Sequence, residues 1–303
     1  MASERSYTAG KFLLDIDGMR VGFLQSFEGG NMVAELASHK MGPSNFEKKH
    51  VTTTKWGAIK FKVGAGMSKG VYEWMQAAFD MGVLYKNGAI TVADFNYKAQ
   101  RRMDMMNMLM TKVTVPAFDA GSKESAYFDI EVLPEQIRWM KESGSDVRGT
   151  IGAKQKAWQC ANFRFELGGL PCGRVNKIEG LSFECKTTTD AVGEHRENTI
   201  HPSSTTISDF TLTISQADLE PWAQKAKAWF VDGNCLEGDE MTGMITLLGP
   251  DMKKELATIE LLNVGFKEFE ANPKLEAQTE SVARFKVKCY CEQIKFKLLE
   301  TDS

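Results

Sequence analysis

The 303-residue chain lacks most of the features that announce a function. No apolar run approaches the roughly 20 residues of a membrane span, and the opening MASERSYTAG has no hydrophobic segment of a secretory signal, so folding and assembly in the cytoplasm are expected. Six cysteines are few for a disulfide scaffold and none forms a CxxC pair, which points to reduced thiols. Cys289 and Cys291 alternate on a strand pattern and leave by one face, as core or surface residues rather than metal ligands. Charge of one sign is not in excess, since 37 Lys and Arg meet 40 Asp and Glu. That balance counts against phosphate-led nucleic-acid binding and against a polybasic membrane patch.

Catalytic signatures are missing as well. There is no GxSxG elbow, no HExxH, and no cysteine with a nearby His and acid. The four histidines (His39, His50, His195 and His201) sit in two polar stretches without metal-ligand spacing. Asp15 and Asp17 before Gly18 start like a calcium loop, yet the later alternate oxygen ligands are absent, so a turn is expected. IKFKVGAGMSKGVYEWM has the strand, Gly-rich turn and helix order that cradles phosphates. Lys69 stands where a dinucleotide fingerprint needs its third glycine, and KGV replaces the GK[ST] of a P-loop. The preceding strand also alternates with lysines, unlike the doubly buried strand of a nucleotide site. No enzyme, cofactor or metal site is expected. A nucleotide enzyme resting on Gly64 to Gly70 and a ligand-binding β-barrel remain as alternatives of other classes.

What the chain does have is a repeat. Phe12, Leu14, Ile16, Gly18, Gly22, Glu28 and Gly29 return as Phe163, Phe165, Leu167, Gly169, Gly173, Glu179 and Gly180, at one offset of 151. The same offset maps His50 onto His201, and Ile59, Phe61 and Val63 onto Phe210, Leu212 and Ile214. Val71, Trp74 and Ala78 match Leu219, Trp222 and Ala226 at offset 148, and EQIRW at 135–139 matches EQIKF at 292–296 at offset 157. Thirteen of the 16 methionines precede residue 150, and all six cysteines follow it, so the two copies differ in composition. The reading is a first domain over 1–140, a linker over 141–158 rich in Gly, Ser and charge, and a second domain over 159–303.

Each copy opens with an alternating hairpin, with turn chemistry at Asp17–Gly18 and at Gly168–Gly169. A long polar hairpin or loop follows at 31–55 and 186–206, then an alternating strand. An amphipathic helix comes next, carrying Trp74 and Phe79 in one copy and Trp222 and Trp229 in the other, and Gly82 and Gly233 are its stops. The last third of each copy reads as strands. The expected fold class is therefore mainly β, two tandem sandwich or barrel domains with one amphipathic helix each. The methionine run MDMMNMLM at 103–110 reads as adaptable packing, with a partner surface as the sharper alternative.

The stretches FLLDIDGMRVGFLQSFEGG, WGAIKFKVGAGMSKGVYEWM and LMTKVTVPAFDAGSKESAYFDIEVLPEQIRW resemble the tail tube proteins of contractile phages and bacterial contractile injection systems. FRFELGGLPCGRVNKIEGLSFE, FTLTISQADLEPWAQKAKAWF and ESVARFKVKCYCEQIKF extend the resemblance to the second copy. The resemblance implies a structural subunit of a phage tail or injection particle, in which six such domains close a ring and rings stack into a hollow tube within a sheath. It implies that the loops at 38–50 (Ser38, His39, His50) and 190–203 (Asp190, His195, His201) contact a neighbouring ring. Strands with Ile59, Phe61 and Val63, and with Phe210, Leu212 and Ile214, would join the shared barrel around the lumen. Family members usually carry one domain, and this chain carries two. Three chains could then close a pseudo-sixfold ring, because a heterologous interface closes by rotation. Such a trimer would suit a tube, or a baseplate-proximal initiator between a threefold hub and a sixfold tube. Partners implied are further copies, adjacent rings, sheath, baseplate and hub proteins. The halves differ in charge, 19 basic and 17 acidic groups before residue 151 against 18 and 23 after it, which modestly favours unlike neighbours.

Overall fold

A computed structural model describes residues 10–40, 42, 46–64, 68–80, 82–148, 158–191, 197–271 and 282–299. It is mainly β, and its elements fall into two runs of the same order. The first run is β1 (Lys11–Ile16), β2 (Met19–Leu24), β3 (Phe27–Gly29), β4 (Met32–Lys40), β5 (Glu47–Trp56), β6 (Ile59–Val63), α1 (Lys69–Phe79), β7 (Lys86–Ala93), β8 (Ala99–Thr114), β9 (Phe118–Asp119), β10 (Phe128–Leu133) and β11 (Gln136–Lys141). The second is β12 (Phe163–Leu167), β13 (Val175–Glu179), β14 (Ser182–Asp190), β15 (Thr199–Ile207), β16 (Phe210–Ser215), α2 (Leu219–Phe230), β17 (Met241–Leu248), β18 (Glu255–Glu270) and β19 (Arg284–Leu298). The single strand β19 replaces β10 and β11, and β2 and β9 have no counterpart among the described residues of the second run.

The duplication extends to the irregularities. In β8 an extra residue is inserted where Lys86 pairs Met108 but Gly88 pairs Met105, and in β18 where Met241 pairs Val264 but Gly243 pairs Leu261. Asn107 and Asn263 occupy these bulges with φ of 49° and 54°, a left-handed conformation that Asn tolerates better than most residues. A second bulge falls at Thr111 and again at Lys267. The hairpin turns agree too: Asp17 and Gly18 have φ of 49° and 79°, Gly168 and Gly169 48° and 75°. Asp17 spends its carboxylate on this turn, accepting from Asn87 N at 3.1 Å and from Lys86 Nζ at 2.6 Å. The bulge at Asn107 also sorts the methionine run, because Met103, Met105, Met108 and Met110 all turn into the core while Met106 stays outside.

The strand order is β2-β1-β7-β8-β10-β6-β3 in one sheet and β12-β17-β18-β19-β16-β13-β9 in the other. The alternation read at β6 and β16 holds: Ile59, Phe61, Val63, Phe210, Leu212 and Ile214 are all buried, while Lys60 and Lys62 point outward. Burying such side chains contributes about 1.5–3 kcal/mol each. One buried cluster runs through both halves, so no solvated boundary separates them. The expected linker is bound at both ends. Lys141 ends β11, Val147 packs on Leu13, Ala93 and Ala99, and Trp158 lies against Tyr72 and Phe128; residues 149–157 lie outside those described.

Candidate assembly interface

The surface most telling of function is the seam where the two halves meet. β14 of the second half pairs with the free edge of β8 of the first, with Ser182 opposite Thr114, Phe183 opposite Val113 and Glu184 opposite Lys112. Val115 N donates to Leu181 O at 3.0 Å, and β9 continues the ladder onto β13 through Ile178 and Lys177. One sheet thus runs from the first half into the second. Val113 and Phe183 are buried at the join, and Lys112 and Glu184 pair at 3.4 Å on its outer face.

Side chains close the seam on either side of this ladder. Phe79, at the end of α1, meets Phe183 edge-on with ring centroids 5.4 Å apart. Tyr72 of α1 stacks on Phe296 of β19 at 5.6 Å, and Gln76 Oε1 accepts from Phe296 N. Glu135 Oε1 accepts from Ile200 N at 2.9 Å, while its Oε2 accepts from Asn107 Nδ2 at 2.7 Å. Tyr85 donates to Ile200 O at 2.6 Å. Glu197 gathers Trp56 Nε1 at 3.0 Å and both terminal nitrogens of Arg138 at 2.8 Å, a bidentate arrangement that holds the Arg138 guanidinium above its usual range.

The residues singled out in the sequence occupy three places. Ser38 and His39 lie on β4 and His50 on β5, a two-stranded ribbon standing apart from both larger sheets, with the two imidazoles 6.0 Å apart. Asp190 and His201 lie on the equivalent ribbon β14–β15, opposite Thr199 and Thr188; His195 falls outside the described residues. Trp74, Phe79, Trp222 and Trp229 are buried under the helices. Trp74 Nε1 donates to Leu84 O and Trp222 Nε1 to Pro171 O, both at 3.0 Å, and Trp222 and Trp229 lie 5.9 and 6.1 Å from Phe266. The sequence reading did not find Tyr85, Glu135, Arg138 or Glu197. The matching EQIRW and EQIKF segments were the available signal for Glu135.

The other chemistry-bearing groups are structural. Lys69 opens α1 and pairs with Glu73 at 2.9 Å; residues 65–67 of the glycine-rich turn lie outside those described. Burial pushes the Cys172 thiol up to about 11 and Cys291 to about 12, with Cys289 raised further, so all three stay protonated at neutral pH. Asp15 is also raised, by burial first and against the pull of Arg102 3.8 Å away. Outward on β6 and β10, Lys60 and Lys62 face Glu131 and Asp129 at 3.6 and 3.7 Å. None of the described helices is long and apolar enough to cross a membrane.

No curated protein matches the chain. Among solved structures, the sheath-tube complex of an extracellular contractile injection system in the extended state is similar at 17% identity and TM-score 0.41, over 46% of this chain and 95% of that one. The tube-terminating cap of the anti-feeding prophage is similar at 19% identity and TM-score 0.41, over 47% and 95%. Hcp1 from Flavobacterium johnsoniae is similar at 15% identity and TM-score 0.27, over 45% and 97%. The family model of the T4-like virus tail tube protein gp19 matches residues 8–138. That match to the T4-like gp19 tail tube family spans the first repeat of this chain.

Proposed function

We propose that the chain is a structural, non-enzymatic subunit of a phage-tail-like contractile injection tube, three copies of which close a pseudo-sixfold ring that stacks into or caps the tube. The observation that carries this reading is the seam between the halves: two repeats, the first matched by the tail tube family, already stand side by side in one chain, joined by a continuous sheet. A junction of this heterologous kind repeats by rotation, so three chains with two units each close a ring of six. The units are residues 1–140 and 159–303, with 141–158 between them. β6 and β16 take part in the barrel around the lumen through their outward faces, since Ile59, Phe61, Val63, Phe210, Leu212 and Ile214 fill the core. The ribbons bearing Ser38, His39 and His50, and Asp190 and His201, reach towards the adjacent ring, as does the segment of His195 between the latter two in sequence. Partners are further copies, neighbouring rings, and the sheath and baseplate or hub proteins of a phage tail or injection particle assembled in the cytoplasm.

A second reading, a baseplate-proximal initiator, is favoured by the inequality of the halves: a ring of alternating unlike units has threefold symmetry, as an adaptor beneath a sixfold tube requires. Negative-stain microscopy of the purified chain with mass determination tests the main reading. Three-chain rings or tubes are expected, and a monomer at high concentration with no rings overturns it. Copy number per particle then separates a main tube subunit, present in hundreds, from an initiator present in a few.

A further inference from the structure

The seam within the chain has a matching pair of unpaired strand edges elsewhere among the described residues. By the shared bulges, Lys112, Val113 and Thr114 of β8 correspond to Glu268, Phe269 and Glu270 of β18. By the 151-residue offset, Ser182, Phe183 and Glu184 of β14 correspond to Asn31, Met32 and Val33. β17 pairs β18 only as far as Val264, so the edge at 266–270 has no neighbour opposite β19 among the described residues. β4 likewise pairs β5 alone. Both edges are of the kind that proteins normally cover.

Exposure follows the same correspondence. Phe183 is 2% exposed, Met32 62%; Phe296 is 5% exposed under α1, while its counterpart Trp139 is 39% exposed. Phe183 and Phe296, both buried by the seam, thus have exposed equivalents, while Phe269, the equivalent of Val113, is half-buried against Phe285. The polar clip repeats too: Asn263 Nδ2 donates to Glu292 Oε2 at 2.7 Å, as Asn107 does to Glu135. Glu135 Oε1 holds the backbone of Ile200, whose equivalent is Lys49. Charge fits as well, with Lys48 and Lys49 on the β4–β5 ribbon and Glu268, Glu270 and Glu292 at the β18 edge.

We propose that the β4–β5 ribbon of one copy docks on the β18 edge of a second copy, with Asn31 opposite Glu270, Met32 opposite Phe269 and Val33 opposite Glu268, in the register of the internal seam. Met32 is then covered at the join, α2 of one copy covers Trp139 of the other, and Glu292 Oε1 accepts from Lys49 N. This interface rests on the proposed ring and specifies the contact that would close it.

The test is a double variant, Val33→Cys with Glu268→Cys. Because Val115 and Leu181 are a hydrogen-bonded pair, pairs alternate so that Lys112 with Glu184, and hence Glu268 with Val33, are non-hydrogen-bonded and closely spaced, which suits a disulfide. Two thiols lose two electrons and two protons to the added oxidant, oxidised glutathione, to form the bond. Non-reducing gels of the assembled protein should show linked dimers and trimers above the background of the native chain's own six cysteines. The pair Val33→Cys with Glu166→Cys should not link. Met32→Lys should keep the circular dichroism and melting temperature of the native chain and raise the concentration for half-assembly by at least about tenfold. Rings without cross-links overturn this register and leave the tube reading standing. Cross-linked open chains without rings support the interface and overturn the ring. A monomer with neither product overturns both.

Discussion

Glu197 shows how much of the seam rests on single side chains. It neutralises Arg138 and satisfies the indole of Trp56 together, so Glu197→Ala leaves the indole without its acceptor and should cost about 1–2 kcal/mol in urea unfolding, whereas Arg138→Ala, at a half-exposed side chain, should cost under about 1 kcal/mol. Equal losses would mean that the indole bond contributes nothing. The buried thiols give the stability a pH dependence on the alkaline side. Unfolded thiols ionise near pH 9, but the folded Cys172 and Cys291 hold their protons to about 11 and 12. Their contribution is complete below pH 9 and falls as pH rises from 9 towards 12, by roughly 1.4 kcal/mol per pH unit for each thiol still protonated only in the folded state. Melting temperature measured between pH 8 and 11 should drop, and Cys291→Ala should flatten the drop; an unchanged slope in that variant rules this cause out. At this scale the alternating core residues Ile59, Phe61 and Val63 were legible, because burial on one face of a strand leaves a period of two. Glu197 was not, because a lone acid in a polar loop carries no sign of partners 59 and 141 residues away.

α1 belongs by sequence to the first repeat and by packing to both. Its residues 71, 74, 75, 78 and 79 were legible as a buried helical stripe, but the sequence gives no hint that Tyr72 and Gln76 meet β19. Phe296→Ala removes a ring held by Tyr72 and Phe128, and should cost about 3–5 kcal/mol. Since that ring joins α1 to β19, the native chain should unfold in one transition by calorimetry, and the variant should shift or split it without sparing one half. Two separate transitions in the native chain would contradict the shared core. The bulge at Asn107 was illegible for another reason: a single left-handed residue turns Met108 and Met110 to the same face as Met103 and Met105, and no alternation pattern allows for an inserted residue.

At the scale of the whole molecule the halves carry unlike charge, +2 before residue 151 (19 less 17) and −5 after it (18 less 23). Assembly through unlike neighbours should therefore weaken as salt rises from about 0.1 M to 1 M and the screening length falls from about 10 Å to 3 Å. Sedimentation across that range checks it, and an assembly indifferent to salt would place the attraction wholly in the apolar contacts. The tandem plan was the most legible feature of all, since glycines at turns and apolar strand residues recur at fixed spacing. The seam was the least, because it is made by residues that differ between the copies.

That seam also changes how assembly depends on concentration. Two separate subunits must give up translational and rotational freedom worth about 4–15 kcal/mol to meet, whereas two halves tethered through residues 149–157 meet at an effective concentration in the millimolar range. A six-unit ring built from single domains requires five such encounters, and one built from three of these chains requires two. Nucleation then scales with the third power of chain concentration instead of the sixth, so a cell holding few copies could still start a ring.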